Sequence, residues 1–176
     1  ALVGVRFDDD DANGLESGSA YVFTRSGTTW RQQARLTAAD GSDRDWFGVR
    51  VALSGDTAAV PADADDSDVN GVDSGSVYVF TRSGTTWTQQ AKLTAADGEA
   101  GDEFGYSVAL SGDTAVITAN ADGRDVRGVD SGSAYVFTRS GSDWSQQAKL
   151  TAADGAAGDL FGVRVALAGD TALIGA

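Results

Sequence analysis

The sequence predicts an all-β protein, a β-propeller built of four-stranded antiparallel blades, and two observations lead to this fold class. The first is a repeat, because Tyr21, Tyr78 and Tyr135 lie in nearly identical strings at a constant step of 57 residues (78 − 21 and 135 − 78). The second is that each period contains four short runs with strand periodicity and no run with helix periodicity. Such a period indicates one supersecondary unit stacked on copies of itself.

The copy that begins at Phe104 shows the four predicted strands in order. The run 104–110 alternates large apolar with small residues, and small residues suit an innermost strand close to a central axis. The run 114–119 is apolar on both faces, which predicts burial on both sides. The runs 133–139 and 144–150 form a hairpin, and the polar second face of the last run predicts an outermost strand. A β-solenoid is the competing repeat fold, but its coils are usually shorter than this period.

The period divides the chain into four predicted segments of one propeller domain. Segment 1–46 holds strands two to four of a partial blade, 47–103 and 104–160 are full blades, and 161–176 holds strands one and two of another. About three blades are fewer than the roughly four that a closed propeller needs. We therefore expect neighbouring blades of a larger propeller, or other subunits, to close the ring and leave no open sheet edge.

The charge of the chain excludes several partners. It carries 26 acidic against 13 basic residues, a net charge of −13. Nucleic acid and anionic membrane surfaces need a basic protein surface, so neither is expected as a partner. No stretch approaches the ~20 apolar residues of a membrane span, so direct membrane insertion is not expected. Abundant Asp with only two Lys is typical of halophilic proteins, and an ordinary acidic secreted protein is the alternative.

Three strings carry a resemblance to a known family. They are Phe104-Gly105, the run from Val108 to Ile117, and Gly132-Ser-Ala-Tyr-Val-Phe137. They resemble FG-GAP repeats, the blades of the integrin α-subunit propeller and of many bacterial and archaeal surface proteins. The resemblance implies an extracellular propeller, typically of about seven blades.

The chain departs from the integrin type at one point. The integrin-type repeat carries a calcium loop, D-x-D-x-D-G, between its first two strands. Only short turns stand at that position here, namely 54–56, 111–113 and 168–170. The integrin calcium site is therefore not expected at that turn, and the chain is more similar to the shorter prokaryotic or haloarchaeal type.

A different acidic loop, between the second and third strands of a blade, is the candidate metal site. Its pattern D-x-D-x-N-G supplies oxygen ligands at alternate positions and a Gly for the sharp turn, which suits Ca²⁺. The candidate ligands are Asp9, Asp11, Asn13 and Glu16 in the first copy and Asp66, Asp68, Asn70 and Asp73 in the second. The third copy has Gly123 and Arg127 at the first and third ligand positions. The alternative is a solvated acidic loop without metal.

A second set of carboxylates recurs before each Phe-Gly pair. Its members are Asp40 and Asp45, Asp97 and Asp102, and Asp154 and Asp159. Paired carboxylates can act as general acid and base, but their presence in every copy favours a structural turn. The chain has no His and no Cys, which removes the usual pairs of nucleophile and base. We therefore expect no catalytic residues and no enzyme activity.

Three residues break the repeat and are candidate partner contacts. Arg50 and Arg164 replace Ser107 on the predicted inner strand, where they could meet an anion or carbohydrate or pair with nearby Asp. Trp46 has no aromatic equivalent in the other copies, which favours a contact with a partner.

These observations predict a non-catalytic, secreted or cell-surface propeller that binds or adheres to a protein or glycan, with Ca²⁺ as a candidate cofactor. An architectural subunit of an extracellular filament or surface layer is the alternative. A polysaccharide-acting enzyme domain that uses the paired Asp residues is less favoured.

Overall fold

Every regular element is a β-strand in the computed structural model, which describes residues 1–10, 12–66, 70–122 and 130–176. The strands are β1 (Leu2–Val5), β2 (Ser19–Ser26), β3 (Thr29–Leu36), β4 (Ala52–Ser54), β5 (Thr57–Ala62), β6 (Ser76–Ser83), β7 (Thr86–Leu93), β8 (Ser107–Ser111), β9 (Thr114–Ala119), β10 (Ser133–Ser140), β11 (Asp143–Leu150), β12 (Arg164–Ala168) and β13 (Thr171–Gly175). Among these described residues, no helix is long and apolar enough to span a membrane.

The strands form four sheets in which chain neighbours pair antiparallel. Two sheets are complete, with the orders β4-β5-β6-β7 and β8-β9-β10-β11. The other two contain β1-β2-β3 and β12-β13. A four-stranded meander of this kind is a propeller blade, so the predicted fold class is confirmed. Each sheet lies within one of the four segments predicted from the period, while the segment boundaries themselves stay a prediction.

The innermost strand is shorter than the sequence pattern predicts. It was expected to begin at Phe104, but β8 begins at Ser107. Gly105 has a φ of +108°, which no extended strand adopts, so Phe104 and Gly105 form a turn that leads into the strand. In the preceding blade Pro61 lies within β5 and has no N–H to donate. There the inner strand β4 has 3 residues, whereas β8 has 5.

The hydrophobic core lies between adjacent sheets. One cluster joins the sheet of β4–β7 to that of β8–β11, and a second joins the sheet of β1–β3 to that of β4–β7. In the first cluster the Phe104 ring lies edge-on to Tyr135, with ring centroids 5.5 Å apart, and to Phe137 at 5.9 Å. Because each blade buries its face only against a neighbour, stability depends on the stacking of blades.

A close approach of backbones links each blade to the next. The Phe104 N–H donates to the Ser74 carbonyl at 2.9 Å, directly beside Gly75. A Cβ at Gly75 would lie 2.2 Å from the Phe104 carbonyl oxygen and 2.6 Å from its nitrogen, and the φ of Gly75 is +80°. Gly18 with Phe47 and Gly132 with Phe161 repeat this geometry. We call these three contacts the glycine–phenylalanine seam.

The outer faces of the two end sheets expose apolar side chains. Val3 and Trp30 on the first sheet are 49% and 52% exposed, and Leu173 on the last is 74% exposed. In the two inner sheets the residues equivalent to Val3 and Leu173 are buried, as Val60 and Val116 illustrate. The end faces therefore resemble inner blade faces, but no other sheet in the described part of the chain packs against them.

We expect the substitution Gly75→Ala to destabilise the protein far more than Gly84→Ala. The new methyl group at residue 75 collides with the backbone of Phe104 and forces the blades apart, a loss of roughly 3 kcal/mol or more. At Gly84, φ is also positive (+63°) but nothing lies within 4 Å of the added carbon. Only the left-handed strain of about 1 kcal/mol remains there.

Urea unfolding of the two variants and the wild type measures this difference. Equal losses at the two positions would show that the seam does not constrain blade packing.

Candidate functional site

The predicted calcium ligands of the first copy are bound into their own loop. The Asp9 carboxylate accepts a hydrogen bond from the Glu16 N–H at 2.9 Å. The Asn13 side-chain amide donates to the carbonyl of Ala38 at 2.8 Å and so ties this loop to the one that leads to the next blade. Asp11 lies outside the described residues.

The second copy repeats both bonds. Asp66 accepts from the Asp73 N–H at 2.9 Å, and the Asn70 amide donates to the Ala95 carbonyl at 2.9 Å. Asp68 lies outside the described part of the chain, as do Gly123 and Arg127 of the third copy. The recurrence of these bonds shows that Asp9, Asp66, Asn13 and Asn70 help to build the loop.

Carboxylate and amide oxygens are the donors that Ca²⁺ prefers, so the residue types of both loops suit this ion. Within the described ranges, however, no three carboxylates converge on a point where a metal ion could sit. Asp11 and Asp68, the middle carboxylates of the pattern, are not among the described residues. Calcium binding by these loops stays a prediction.

A lysine holds two loops together on the second blade. The Lys92 ammonium contacts the carboxylates of Asp40 at 2.8 Å and Asp65 at 2.9 Å. Asp65 is 2% exposed and also accepts the Ser76 hydroxyl at 2.5 Å and the Tyr78 hydroxyl at 3.4 Å. Burial alone would lower the pKa of Lys92, but hydrogen bonds to the two carboxylates raise it. Burial, followed by the charge of Asp65, raises the pKa of Tyr78.

The third blade contains the same cluster. Lys149 contacts Asp97 at 2.8 Å and Asp122 at 2.7 Å, and Asp122 accepts the Tyr135 hydroxyl at 2.9 Å. Both lysines of the chain are therefore engaged in holding loops to blades.

The first copy has an arginine at the lysine position. Arg35 contacts Asp8 at 3.0 Å and Asp10 at 2.5 Å. The Ser19 hydroxyl and then Arg35 hold the pKa of Asp8 below its ordinary value. We call the cation, its two carboxylates and the tyrosine of each copy the loop clamp.

The second carboxylate of each recurring pair closes a turn. Asp45 accepts the Ser42 N–H at 2.6 Å, Asp102 accepts the Glu99 N–H at 2.7 Å, and Asp159 accepts the Ala156 N–H at 2.7 Å. Burial is the main cause that raises the pKa of Asp45 and Asp102 to about 6. The second carboxylate of each pair thus has a backbone partner in each copy.

Of the three residues proposed as partner contacts, Trp46 and Arg50 lie near the same residue, Tyr106, whereas Arg164 does not. Trp46 is half-buried beside the seam residue Phe47, with φ at +57°. Arg50 donates to the Val49 carbonyl at 2.9 Å, and its guanidinium lies 5.7 Å from the ring centre of Tyr106. Arg164 is exposed, on β12, far along the chain from the other two.

Trp46 lines a pocket of about 310 Å³ that sequence analysis did not identify. Its wall includes Arg6, Asp63 and Tyr106. Asp63 is 8% exposed, and its pKa is raised to about 6, mainly by burial and next by the charge of Glu103. A signal was present in the sequence, because the position of Asp63 is occupied by a different residue in each copy.

The repeats match the model of a known protein family. Residues 30–80, 87–137 and 144–176 each match the FG-GAP repeat model, together more than half of the chain. No curated protein matches the chain.

We expect Lys92→Met to destabilise the protein by about 3–5 kcal/mol. The substitution keeps most of the apolar stem but leaves the carboxylate of Asp65 buried without its cation. Urea unfolding at neutral pH measures the loss.

The matched control for Lys92→Met is Asp56→Asn. It breaks an exposed ion pair with Arg82, in which the Asp56 side chain is 64% exposed, so only a small effect is expected. Similar small losses in both variants would contradict a structural role for the loop clamp.

We expect Asp63→Asn to stabilise the protein at pH 8 but not at pH 4. The carboxyl has a pKa of about 6 in the folded protein against its ordinary value of 3.8, so the folded protein binds the proton more tightly. The contribution of this carboxyl to the free energy of unfolding of the wild type therefore falls as pH rises from about 4 to about 6. It stays reduced at higher pH. The gain at pH 8 is about 3 kcal/mol at most.

Denaturant unfolding of wild type and variant at both pH values tests this expectation. Asn120 occupies the same position in the third blade, so an amide fits the backbone there. A stability difference that does not change with pH would contradict the burial of an ionising carboxyl.

Proposed function

Because the chain belongs to the FG-GAP repeat family, we propose that it is a non-catalytic propeller module that binds or adheres to a protein or glycan outside the cell. In this proposal, the blades are a frame and the ligand meets the loops at one end of them. That end, the loop face, is formed by the loops between the second and third strands of each blade and the loops between blades.

The observation that supports this proposal is a division between recurring and variable residues. Five of the six recurring carboxylates, which an enzyme mechanism would need, are engaged in loop clamps and turns. Variable residues such as Trp46, Asp63 and Tyr106 meet at the loop face, beside one pocket. A constant frame with variable loops is the arrangement of a binding protein. The same contacts make a polysaccharide-acting enzyme based on the paired Asp residues the least supported function.

An extracellular, salt-rich setting is part of the proposal. The net charge of −13 gives a repulsive surface whose charges salt would screen. Neither of the two lysines is free to offset the negative charge of the surface, because both belong to loop clamps. Screening by salt would therefore favour the folded, acidic protein.

The test is retention of the intact protein on a glycan array and on surface proteins displayed by cells, with and without added calcium. We expect saturable retention by at least one of the two, and weaker retention for Trp46→Leu. Trp30→Leu is the matched control, because Trp30 is an exposed tryptophan on a strand hairpin. Absence of retention on both supports would count against a binding module.

An architectural subunit of a filament or surface layer is the second candidate. The exposed apolar faces of the two end sheets favour it, because such faces bury themselves against further blades or subunits. Light scattering at high and low salt separates the candidates. Particles that grow with protein concentration support assembly, whereas a constant monomer mass supports a separate binder.

A further inference from the structure

The pocket beside Trp46 has the size and chemistry of a small-ligand site. Its volume of about 310 Å³ lies at the lower end of the range of ligand pockets in proteins. The side chains that matter below are those of Arg6, Trp46, Asp63, Asp73, Glu103 and Tyr106. They come from three successive copies of the repeat, so the pocket spans two blade junctions.

Two buried polar atoms at this pocket have no partner among the described residues. One is Oδ1 of Asp63, whose residue is 8% exposed, and the other is Nε1 of Trp46. A buried polar group without a partner destabilises a fold by about 1–3 kcal/mol. Both residues line the same cavity, so one ligand that enters it could reach the two side chains together.

The indole of Trp46 is held in place before any ligand arrives. Its ring lies edge-on to Phe7 with centroids 6.3 Å apart, and the Arg6 guanidinium lies 4.3 Å from the Phe7 ring centre and 5.6 Å from that of Trp46. Two other tryptophans donate their indole N–H groups to a side chain of the preceding blade. Trp87 donates to Gln33, and Trp144 donates to Gln90. The free, fixed N–H of Trp46 is thus preorganised for a ligand.

Three positions around the pocket differ between the copies, whereas the position of Asp73 is acidic in each of them. Arg6, Asp63 and Asn120 are equivalent by the period, as are Trp46, Glu103 and Leu160, and Val49, Tyr106 and Val163. The frame repeats, because residues 46, 103 and 160 all have a positive φ between +54° and +57°. What changes at this junction is the set of functional groups on an unchanged backbone.

The groups around the pocket discriminate between ligand charges. An anion would meet the carboxylates of Asp63, Asp73 and Glu103. An ammonium group offers no acceptor for the indole N–H of Trp46, and it would meet the positive charge of Arg6 in the same pocket. A neutral ligand with adjacent hydroxyl groups can donate to Asp63 and accept from Trp46, while its apolar face rests on the aromatic ring of Tyr106.

We propose that this pocket binds a neutral sugar ring, with hydroxyl groups bound by the carboxylate of Asp63 and the indole N–H of Trp46. This inference rests on the proposed binding function and names the ligand class and its site. A single ring or the terminal ring of a longer glycan fits the volume.

The experiment follows the indole N–H signals of the intact protein by ¹⁵N NMR. The chain has four tryptophans, so four signals are expected. Methyl glycosides of glucose, galactose and mannose are titrated to millimolar concentration, with glucuronate and methylamine as charged probes. We expect at least one glycoside to shift the Trp46 signal saturably and to leave those of Trp87 and Trp144 in place.

Two variants borrow residues that the third copy already carries at the same positions. Asp63→Asn and Trp46→Leu copy Asn120 and Leu160, so the fold is expected to persist. Each should weaken glycoside binding by about tenfold or more, followed for Trp46→Leu through the backbone amide of residue 46. Asp63→Asn separates function from folding, because it should gain stability at pH 8 while it loses affinity.

Several outcomes would overturn the proposal. They are no saturable shift with any neutral glycoside, tighter binding of glucuronate or methylamine than of every glycoside, and unchanged affinity in Asp63→Asn. If these occur while the protein is still retained on cells or arrays, the binding module stands and this pocket is not its site. If retention also fails, the proposed function itself is wrong.

Discussion

The contact on which the structure depends is the close approach between a glycine of one blade and the phenylalanine that opens the next. At Gly75 the backbone of Phe104 lies where a side chain would begin, and the Phe104 ring enters the core between the two sheets. One short contact therefore fixes the distance between blades, ties their backbones by a hydrogen bond and places a large aromatic ring in the interface. Its repetition at every junction gives the blades one spacing.

The stacked blades also set the positions of the charged side chains. The chain has twice as many acidic as basic residues, and the loop clamps pair the buried carboxylates of Asp65 and Asp122 with its two lysines. In the two complete blades the clamp joins two loops at the loop face, and in the first copy it binds two carboxylates of one loop. On that fixed surface, substitution at a few positions creates local chemistry, as the unpaired groups of Asp63 and Trp46 illustrate. Stability and ligand recognition therefore rest on different residues of one blade.

The fold could be predicted from the sequence, because the step of 57 residues and the four strand-like runs of each period can be recognised without knowledge of the contacts between them. The strand 114–119 has the predicted limits, whereas the inner strand begins late because Gly105 adopts a turn conformation that the alternation of apolar residues conceals. Trp46 could be singled out as a break in the repeat. Asp63 could not be recognised as part of the same pocket, because its burial and its lack of a partner arise from contacts between copies. Because aspartates are frequent in this chain, the residue type alone does not single out Asp63. Its chemical role depends on neighbours that are distant in sequence.

Native-state hydrogen exchange at the Phe104 amide tests the central claim most directly. This N–H donates across the junction to Ser74. If the seam holds adjacent blades as one cooperative unit, its exchange requires global unfolding, and the opening free energy equals that from urea unfolding. Exchange from a state well below the global free energy, with one blade opening while its neighbour stays protected, would contradict the claim.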